Sequence, residues 1–130
     1  VWLDGGHNPQ GGEVLAAWLA EQKKDIYLVC GMMKGKDAGH YLKPMASLVK
    51  EFHAVVIPEE TGCQSVAQLV ASARTCGMDA YESVTVEKAL QSIAMRAKTP
   101  SLICICGSLY LAGQVLYANN HMEEKKNAAG

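Results

Sequence analysis

Apolar residues occur along the chain in five short runs, each followed by a longer segment in which they recur at helical spacing. The runs are bounded by glycine, proline or polar turn residues, which is typical of β-strands that end in loops. The last run is apolar at nearly every position, which indicates a central strand covered on both faces of a sheet. The predicted strands are residues 1–4, 26–30, 53–57, 79–82 and 101–106.

The segments between these runs carry apolar residues three and four positions apart, the spacing of amphipathic helices. The first predicted helix covers about residues 9–24, the fourth covers 86–97 and the last covers about 108–119. The second and third predicted helices lie between the second and fourth strands.

Local signals mark the ends of those two helices. Asp37 is placed to cap the second helix, and Pro44 is placed to restart it. Ser65 and Gln68 have the spacing of a capping box before the third helix, and Gly77 stands where a helix often ends.

Five strand–helix alternations with short links predict an α/β fold. We expect a three-layer, Rossmann-like open sheet that is mainly parallel, with helices on both faces. One domain is predicted over residues 1–118, followed by a flexible polar tail over residues 119–130. Such sheets bind ligands beyond the carboxyl ends of their strands. The informative loops should therefore be residues 4–8, 31–37, 58–62 and 107–108.

The charge balance argues against two classes of partner. The formal net charge is −1, from 12 basic and 13 acidic residues, so no basic surplus exists to bind a nucleic-acid backbone or an anionic membrane surface. No apolar run approaches the roughly 20 residues that span a bilayer, and the chain does not open with the pattern of a signal peptide. It opens directly in a predicted strand without Met, so we expect a piece of a longer protein.

The five cysteines are odd in number and show no Cys-x-x-Cys spacing. We interpret them as reduced, buried thiols of a cytoplasmic protein. Cys104 and Cys106 stand two apart in the last apolar run, so they should lie on one face of its strand. No metal site is expected, because the four histidines are scattered and none stands at ligand spacing from a cysteine.

The first loop after a strand reads Asp-Gly-Gly-His-Asn-Pro at residues 4–9. Asp4 could accept hydrogen bonds from a ribose or another polar ligand, and His7 could donate to a phosphate oxygen or a developing anion. Asn8 is explained equally well as a plain helix cap. Because neither Asp4 nor His7 is needed to form the turn, we favour a role in binding or catalysis for both.

Two other loops carry candidate anion ligands. Lys34 and Lys36 could each meet a phosphate or carboxylate as a point charge, although a solvated turn is the alternative. Asp37 is interpreted as a helix cap. Ser108 stands at a predicted helix N-terminus, where unpaired N–H groups favour an anion such as a glutamate carboxylate, although a plain N-cap explains it equally well.

The other histidines are not candidate site residues, and two familiar phosphate-binding motifs are absent. His40, His53 and His121 have no partners nearby in sequence and are interpreted as surface or packing residues. The P-loop pattern Gly-x-x-x-x-Gly-Lys-[Ser/Thr] is absent from the sequence, and no Gly-x-Gly-x-x-Gly follows a strand.

The three loops resemble motifs of the folylpolyglutamate synthase/dihydrofolate synthase family, a branch of the Mur ligase superfamily. Residues 4–9 are similar to its Asp-Gly-Ala-His-Asn-Pro signature, with Gly6 in place of the usual Ala. Residues 31–37 resemble its Gly-rich loop with Lys and Asp. Gly-Ser-Leu-Tyr-Leu-Ala-Gly at 107–113 resembles its closing Gly-Ser-x-Tyr-x-x-Gly.

This resemblance implies the C-terminal domain of an ATP-dependent amide ligase that adds L-glutamate to a folate or dihydropteroate carboxylate through an acyl phosphate. It also implies that ATP and Mg²⁺ are cofactors of the full-length enzyme, and that the P-loop belongs to an N-terminal ATPase domain of the same parent chain. This fragment alone would then bind neither cofactor and be inactive. The fold implied is that of a Mur ligase C-terminal domain.

The resemblance also implies roles for individual residues. Asp4 and His7 would contact the nucleotide, with His7 catalytic beside the transferring phosphate. Lys34, Lys36 and Ser108 would bind the glutamate or a phosphate. All five should then lie along one edge of the sheet.

Two alternatives stay open from the sequence. One is the C-terminal domain of a Mur ligase that acts on cell-wall precursors, although the His-Asn-Pro and Gly-Ser-Leu-Tyr segments fit the folate branch better. The other is a non-catalytic α/β module that binds a nucleotide or anion and regulates a partner.

Overall fold

The computed structural model describes residues 2–3, 9–97 and 100–107. Within them the sheet has five strands, and every strand pairs with its neighbours in parallel. The order across the sheet is β1-β5-β2-β3-β4. The strands are β1 Trp2–Leu3, β2 Asp25–Cys30, β3 Glu51–Val55, β4 Ala80–Val84 and β5 Ser101–Cys106.

In the described part of the chain, four α-helices connect these strands. They are α1 Pro9–Ala20, α2 Ala38–Leu42, α3 Val66–Thr75 and α4 Val86–Arg96, with a 3₁₀ turn at Lys43–Met45 continuing α2. The prediction of an α/β fold with a parallel sheet is confirmed. The last predicted helix lies outside the described residues.

Helices cover both faces of the sheet. Leu15 of α1, Leu42 of α2 and Leu69 of α3 share one buried apolar cluster, whereas Ala89 and Ile93 of α4 belong to a second one. The direction of the chain explains this division. From β1 through β4 the chain moves across the sheet in one direction, and between β4 and β5 it moves back. Because parallel crossovers are right-handed, the returning helix α4 must lie on the opposite face.

Alternation along the strands supplies both clusters. In β5, Cys104 and Cys106 belong to the cluster under α1–α3, whereas Ile105 belongs to the cluster under α4. The two cysteines therefore lie on one face, as the sequence predicts. Neighbouring β2 has the same alternation, with Leu28 in the first cluster and Val29 in the second.

The local helix signals are confirmed. Asp37 caps α2, with its carboxylate accepting the backbone N–H of His40 at 3.1 Å. Ser65 and Gln68 form the capping box of α3, with both reciprocal hydrogen bonds at 3.2 Å. The 3₁₀ turn after α2 begins at Lys43, with Pro44 in its first turn.

Several boundaries differ from the prediction, including the end of β3 at Val55 rather than residue 57 and the end of β4 at Val84 rather than residue 82. Helix α1 ends at Ala20 rather than near residue 24, because the polar residues that follow offer no apolar side chain to the core. Strand β3 begins at Glu51, two residues before the predicted start. The carboxylate of Glu51 is buried and paired there, which sequence periodicity does not reveal.

No helix in the described part of the chain is both long and apolar enough to cross a membrane.

Candidate functional site

The loops after β2 and β5 meet at the carboxyl edge of the sheet. The last residues of these strands, Cys30 and Cys106, are register partners, and the N–H of Gly31 donates to the carbonyl of Cys106 at 3.4 Å. Gly107 has φ +98°, and a Cβ there would lie 2.6 Å from the carbonyl oxygen of Gly31. Only glycine fits this approach without strain, so the two backbones touch at this edge.

The loop at residues 31–37, which we call the lysine loop, presents both candidate lysines. Its centre is a tight turn in which the N–H of Lys36 donates to the carbonyl of Met33 at 3.4 Å. Gly35 has φ +88°, a conformation that glycine adopts without a steric cost. The side chains of Lys34 and Lys36 on either side of it are exposed. Within the described residues, neither ammonium group forms an ion pair.

The loop after β3 is attached to the lysine loop by backbone hydrogen bonds. The N–H of Lys34 donates to Gly62 at 2.8 Å, and the N–H of Gln64 donates to Met32 at 2.7 Å. Met33 and Cys63 form an isolated antiparallel bridge between the two segments. The two loops therefore form a short two-stranded ribbon beyond the carboxyl edge.

A shallow recess of about 500 Å³ opens between the lysine loop and α3. The ammonium groups of two lysines, the side-chain amide of Gln68 and the hydroxyl of Ser72 surround it, and none of its lining residues is acidic. Gln64 also lines it, but its amide N–H groups already donate to backbone carbonyls. This chemistry suits a carboxylate or phosphate, which needs donors and positive charge together. The lining residues are Lys34, Gly35, Lys36, Gln64, Gln68, Ala71 and Ser72.

The structure brings Lys34 and Lys36 together at the carboxyl edge. Asp4, His7 and Ser108 lie outside the described residues, so their positions stay predictions. Sequence reasoning missed Gln64 altogether and considered Gln68 only as a capping residue. Neither could be assigned to the recess from local pattern, because it forms only where the loop after β3 contacts the lysine loop.

A polar cluster on the other face of the sheet was also missed. His53 was interpreted as lacking a partner nearby, and this was wrong. Its Nε2 lies 3.0 Å from Oε1 of Glu51, and its Nδ1 lies 2.7 Å from the hydroxyl of Ser83. Arg96 of α4 approaches the same carboxylate at 3.2 Å and stacks on the ring of Tyr81, 4.3 Å from its centroid.

Burial determines the protonation of His53. The side chain is fully buried, and desolvation lowers its pKa below the usual 6.5, although the hydrogen bond with Glu51 acts in the opposite direction. An ionised Glu51 can only accept, so Nε2 of the neutral ring carries the proton and Nδ1 accepts from Ser83. The cluster therefore satisfies its own polar groups.

His40 also has a partner, again contrary to the expectation. Its Nδ1 lies 2.5 Å from Oδ2 of Asp37, three residues earlier in the chain. The hydrogen bond from the backbone N–H of His40, together with this ring contact, holds the pKa of Asp37 below its usual 3.8. Both side chains are largely exposed, so the pair contributes little to stability.

None of the described cysteines forms a disulfide, and three of them pack together under α2. Cys30, Cys104 and Cys106 are buried. The hydrogen bond with Cys104 lowers the pKa of Cys106, but the hydrogen bond with Cys30 and complete burial outweigh it and hold this pKa well above its usual value.

Residues 2–3, 9–97 and 100–107 contain no cluster of three or more side chains able to hold a metal ion.

Comparison with known proteins gives one consistent result. Residues 1–118 match the family model described as dihydrofolate synthetase, C-terminal domain. A curated dihydrofolate synthase/folylpolyglutamate synthase from Haemophilus influenzae is 34% identical over 74 residues, which are 54% of this chain and 17% of that enzyme.

Two solved structures share the fold over most of the chain. The structure of E. coli FolC in complex with DHPP and ADP has a TM-score of 0.77, with 20% identity over 92% of this chain and 28% of FolC. A bifunctional folylpolyglutamate synthase/dihydrofolate synthase from Yersinia pestis, complexed with AMPPNP and Mn ion, has a TM-score of 0.76. It is 26% identical over 91% of this chain, which again spans only 28% of the solved enzyme.

Proposed function

The chain belongs to the dihydrofolate synthetase C-terminal domain family, and from this premise we propose that it is one half of a two-domain, ATP-dependent glutamate ligase. In the proposed reaction, a folate or dihydropteroate carboxylate attacks the γ-phosphate of ATP, and ADP leaves. The amine of L-glutamate then attacks the resulting acyl phosphate, and an amide forms as inorganic phosphate leaves. The solved relatives have ADP or AMPPNP bound, which supports a nucleotide-dependent reaction for the parent chain.

The recess between the lysine loop and α3 carries this proposal for the described residues. Lys34 and Lys36 present two positive charges beside amide and hydroxyl donors, with no acidic side chain among the lining residues. A glutamate carboxylate or a phosphate released in the reaction is an anion of the kind that such a recess holds. We assign these lysines to binding the anionic groups of the substrates, and Ser108 to the same task.

Asp4 and His7 are assigned to the nucleotide. Strand β1 ends at Leu3, opposite Ile105 and one register position before the end of β5. The strand end that precedes Asp4 is therefore close to the edge where the lysine loop begins. This arrangement supports a shared site, in which Asp4 holds the nucleotide and His7 stabilises charge on the transferring phosphoryl group.

ATP and Mg²⁺ supply the activating phosphoryl group and its charge neutralisation, and we assign their principal ligands to an N-terminal P-loop domain of the parent chain. The described residues supply cationic and neutral donors for anionic groups at the carboxyl edge. The relatives named here are folate enzymes, which favours this branch over a cell-wall ligase.

A ligation assay tests the proposal. The longer parent chain, given ATP, Mg²⁺, L-glutamate and dihydropteroate or tetrahydrofolate, should form the amide, whereas residues 1–130 alone should not. Turnover by the 130-residue chain would contradict the two-domain proposal. Absence of ligation by the folded parent chain with either acceptor would contradict the proposed reaction.

Substitutions in the parent chain separate the two nucleotide residues. His7→Ala should lower kcat by about 10²–10³, or roughly 3–4 kcal/mol, as expected when one donor to a developing charge is lost. Asp4→Ala should mainly raise the KM for ATP, because a group that only holds the nucleotide acts on binding. Melting curves distinguish these effects from unfolding. A His7→Ala enzyme with near-normal turnover would remove this residue from the catalytic assignment.

A further inference from the structure

The side chain of Gln64 connects the loop after β3 to both ends of the turn that carries the lysines. Its Nε2 lies 3.2 Å from the carbonyl oxygen of Met33 and 3.0 Å from that of Lys36. A side-chain amide has two N–H donors, so this geometry uses both of them. The partners stand 31 and 28 residues earlier in the chain.

These two hydrogen bonds hold the first and last carbonyls of the turn. Without them, the turn itself would be closed only by the long hydrogen bond from the N–H of Lys36 to Met33, at 3.4 Å. Gly35 at its centre has many accessible conformations, so ordering this segment costs conformational entropy. The backbone hydrogen bonds from Lys34 to Gly62 and from Gln64 to Met32 attach the start of the loop but do not reach its end.

We propose that Gln64 is a positioning residue: it holds the lysine loop in the conformation that presents Lys34 and Lys36 to the carboxylate or phosphate of a substrate. The identity of that anion rests on the proposed function, whereas the clamp on the loop rests on the hydrogen bonds of Gln64. Two flexible ammonium groups can bind one small anion together only if their backbone positions are fixed relative to each other.

Gln64→Met in the full-length parent chain is the direct test. Methionine has nearly the length of glutamine, carries no charge and cannot donate to the two carbonyls. Hydrogen exchange of the backbone N–H groups in residues 31–37 should become about tenfold faster, because local opening then breaks fewer hydrogen bonds. The KM for L-glutamate should rise about tenfold or more while kcat falls less, since misplacement of a binding group by about 1 Å is costly.

Gln22→Met is the matched control. Gln22 also uses its side-chain amide to hold a backbone carbonyl, that of Trp18 at 3.1 Å, but it stands before β2 at the opposite end of that strand. The Gln22→Met substitution should leave both the hydrogen exchange of residues 31–37 and the KM for L-glutamate unchanged. An equal rise of KM in both variants would overturn the positioning role, because general destabilisation would then explain it.

Lys34→Ala and Lys36→Ala separate failure of this inference from failure of the proposed function. In one outcome, the lysine variants raise the KM for L-glutamate, whereas Gln64→Met changes neither this KM nor the hydrogen exchange of residues 31–37. That outcome would overturn the inference and leave the proposed function standing. Faster exchange in Gln64→Met with an unchanged KM in the lysine variants would support the clamp and contradict the proposed use of the loop. Unchanged exchange in Gln64→Met overturns the clamp whatever the kinetics show.

Discussion

The lysine loop and the cluster around His53 both gather polar side chains from distant parts of the chain, but they treat charge differently. In the cluster, Glu51, His53, Ser83 and Arg96 pair with one another under α4. In the lysine loop, hydrogen bonds hold the backbone, whereas the two ammonium groups remain exposed without an ion pair in the described part of the chain. Polar groups satisfied inside the fold stabilise it, and groups left exposed on a fixed backbone are available to a ligand.

The largest expected effect is on stability, at His53. His53→Ala removes a fully buried ring and leaves Glu51 and Ser83 without their partner, so the free energy of unfolding should fall by about 3–5 kcal/mol. The matched control, His40→Ala, loses only an exposed pair and should cost about 0–1 kcal/mol. Chemical denaturation of both variants measures the difference. Equal losses of unfolding free energy would show that the cluster contributes no more stability than an exposed ion pair.

Gly107→Ala should disturb the other region, at the carboxyl edge. Its φ of +98° disfavours any side chain, and the new Cβ would lie 2.6 Å from the carbonyl oxygen of Gly31. We expect the free energy of unfolding to fall by about 2–4 kcal/mol, because the added Cβ strains the backbone and overpacks the site. Gly35→Ala is the control, because its φ is +88° but no atom lies within 4 Å of the added Cβ. It should lose only about 1–2 kcal/mol, the cost of the backbone conformation. Equal losses of stability in thermal melts of the two variants would show that the backbone conformation alone, and not the contact with Gly31, explains the effect of Gly107→Ala.

The smallest expected effect is the pH dependence that His53 adds to stability. The pKa of His53 is lowered in the folded protein, so below pH 6.5 the unfolded chain binds a proton that the folded chain does not. Its contribution is therefore fully present above pH 6.5 and is lost as the pH falls toward the folded pKa. Glu51, Ser83, Tyr81 and Arg96 face the ring, with the charge of Asp79 nearby.

Unfolding curves between pH 5.5 and pH 8, an interval chosen to span roughly the usual histidine range, measure this dependence. His53→Gln should flatten the curve relative to the wild type, because glutamine does not titrate. His40→Gln should leave its slope nearly unchanged. A wild-type curve that rises as the pH falls through 6.5 would contradict the direction assigned to the pKa of His53.

The confirmed predictions concern features encoded within a few residues. The capping box of Ser65 and Gln68, the cap at Asp37 and the strand at Ser101–Cys106 were all predicted correctly. Each depends on a local spacing or on an apolar run, and those signals survive in any tertiary context. The start of β3 was missed because a charged residue such as Glu51 is typical of a loop, and its partner on α4 cannot be identified from local sequence.

The candidate site was predictable only in part. The rule that ligands bind at the carboxyl ends of parallel strands pointed to the lysine loop, and the structure places a recess lined by Lys34 and Lys36 beside it. It did not find Gln64, because the partners of its side chain are backbone carbonyls, which every residue possesses. A sequence pattern cannot tell which carbonyl a glutamine will reach.

By itself, the sequence determined the order of strands and helices, the helix caps and which loops follow the carboxyl ends of strands. Periodicity, capping and turn chemistry act over a few residues, so they can be identified without knowing the fold. Only the tertiary structure decided that Gln64 would close the lysine loop, because its two partners stand 31 and 28 residues away in the chain. The same holds for the hydrogen bond between His53 and Ser83, which stand 30 residues apart. Such pairs depend on strand order and register, which bring together segments that no local spacing connects.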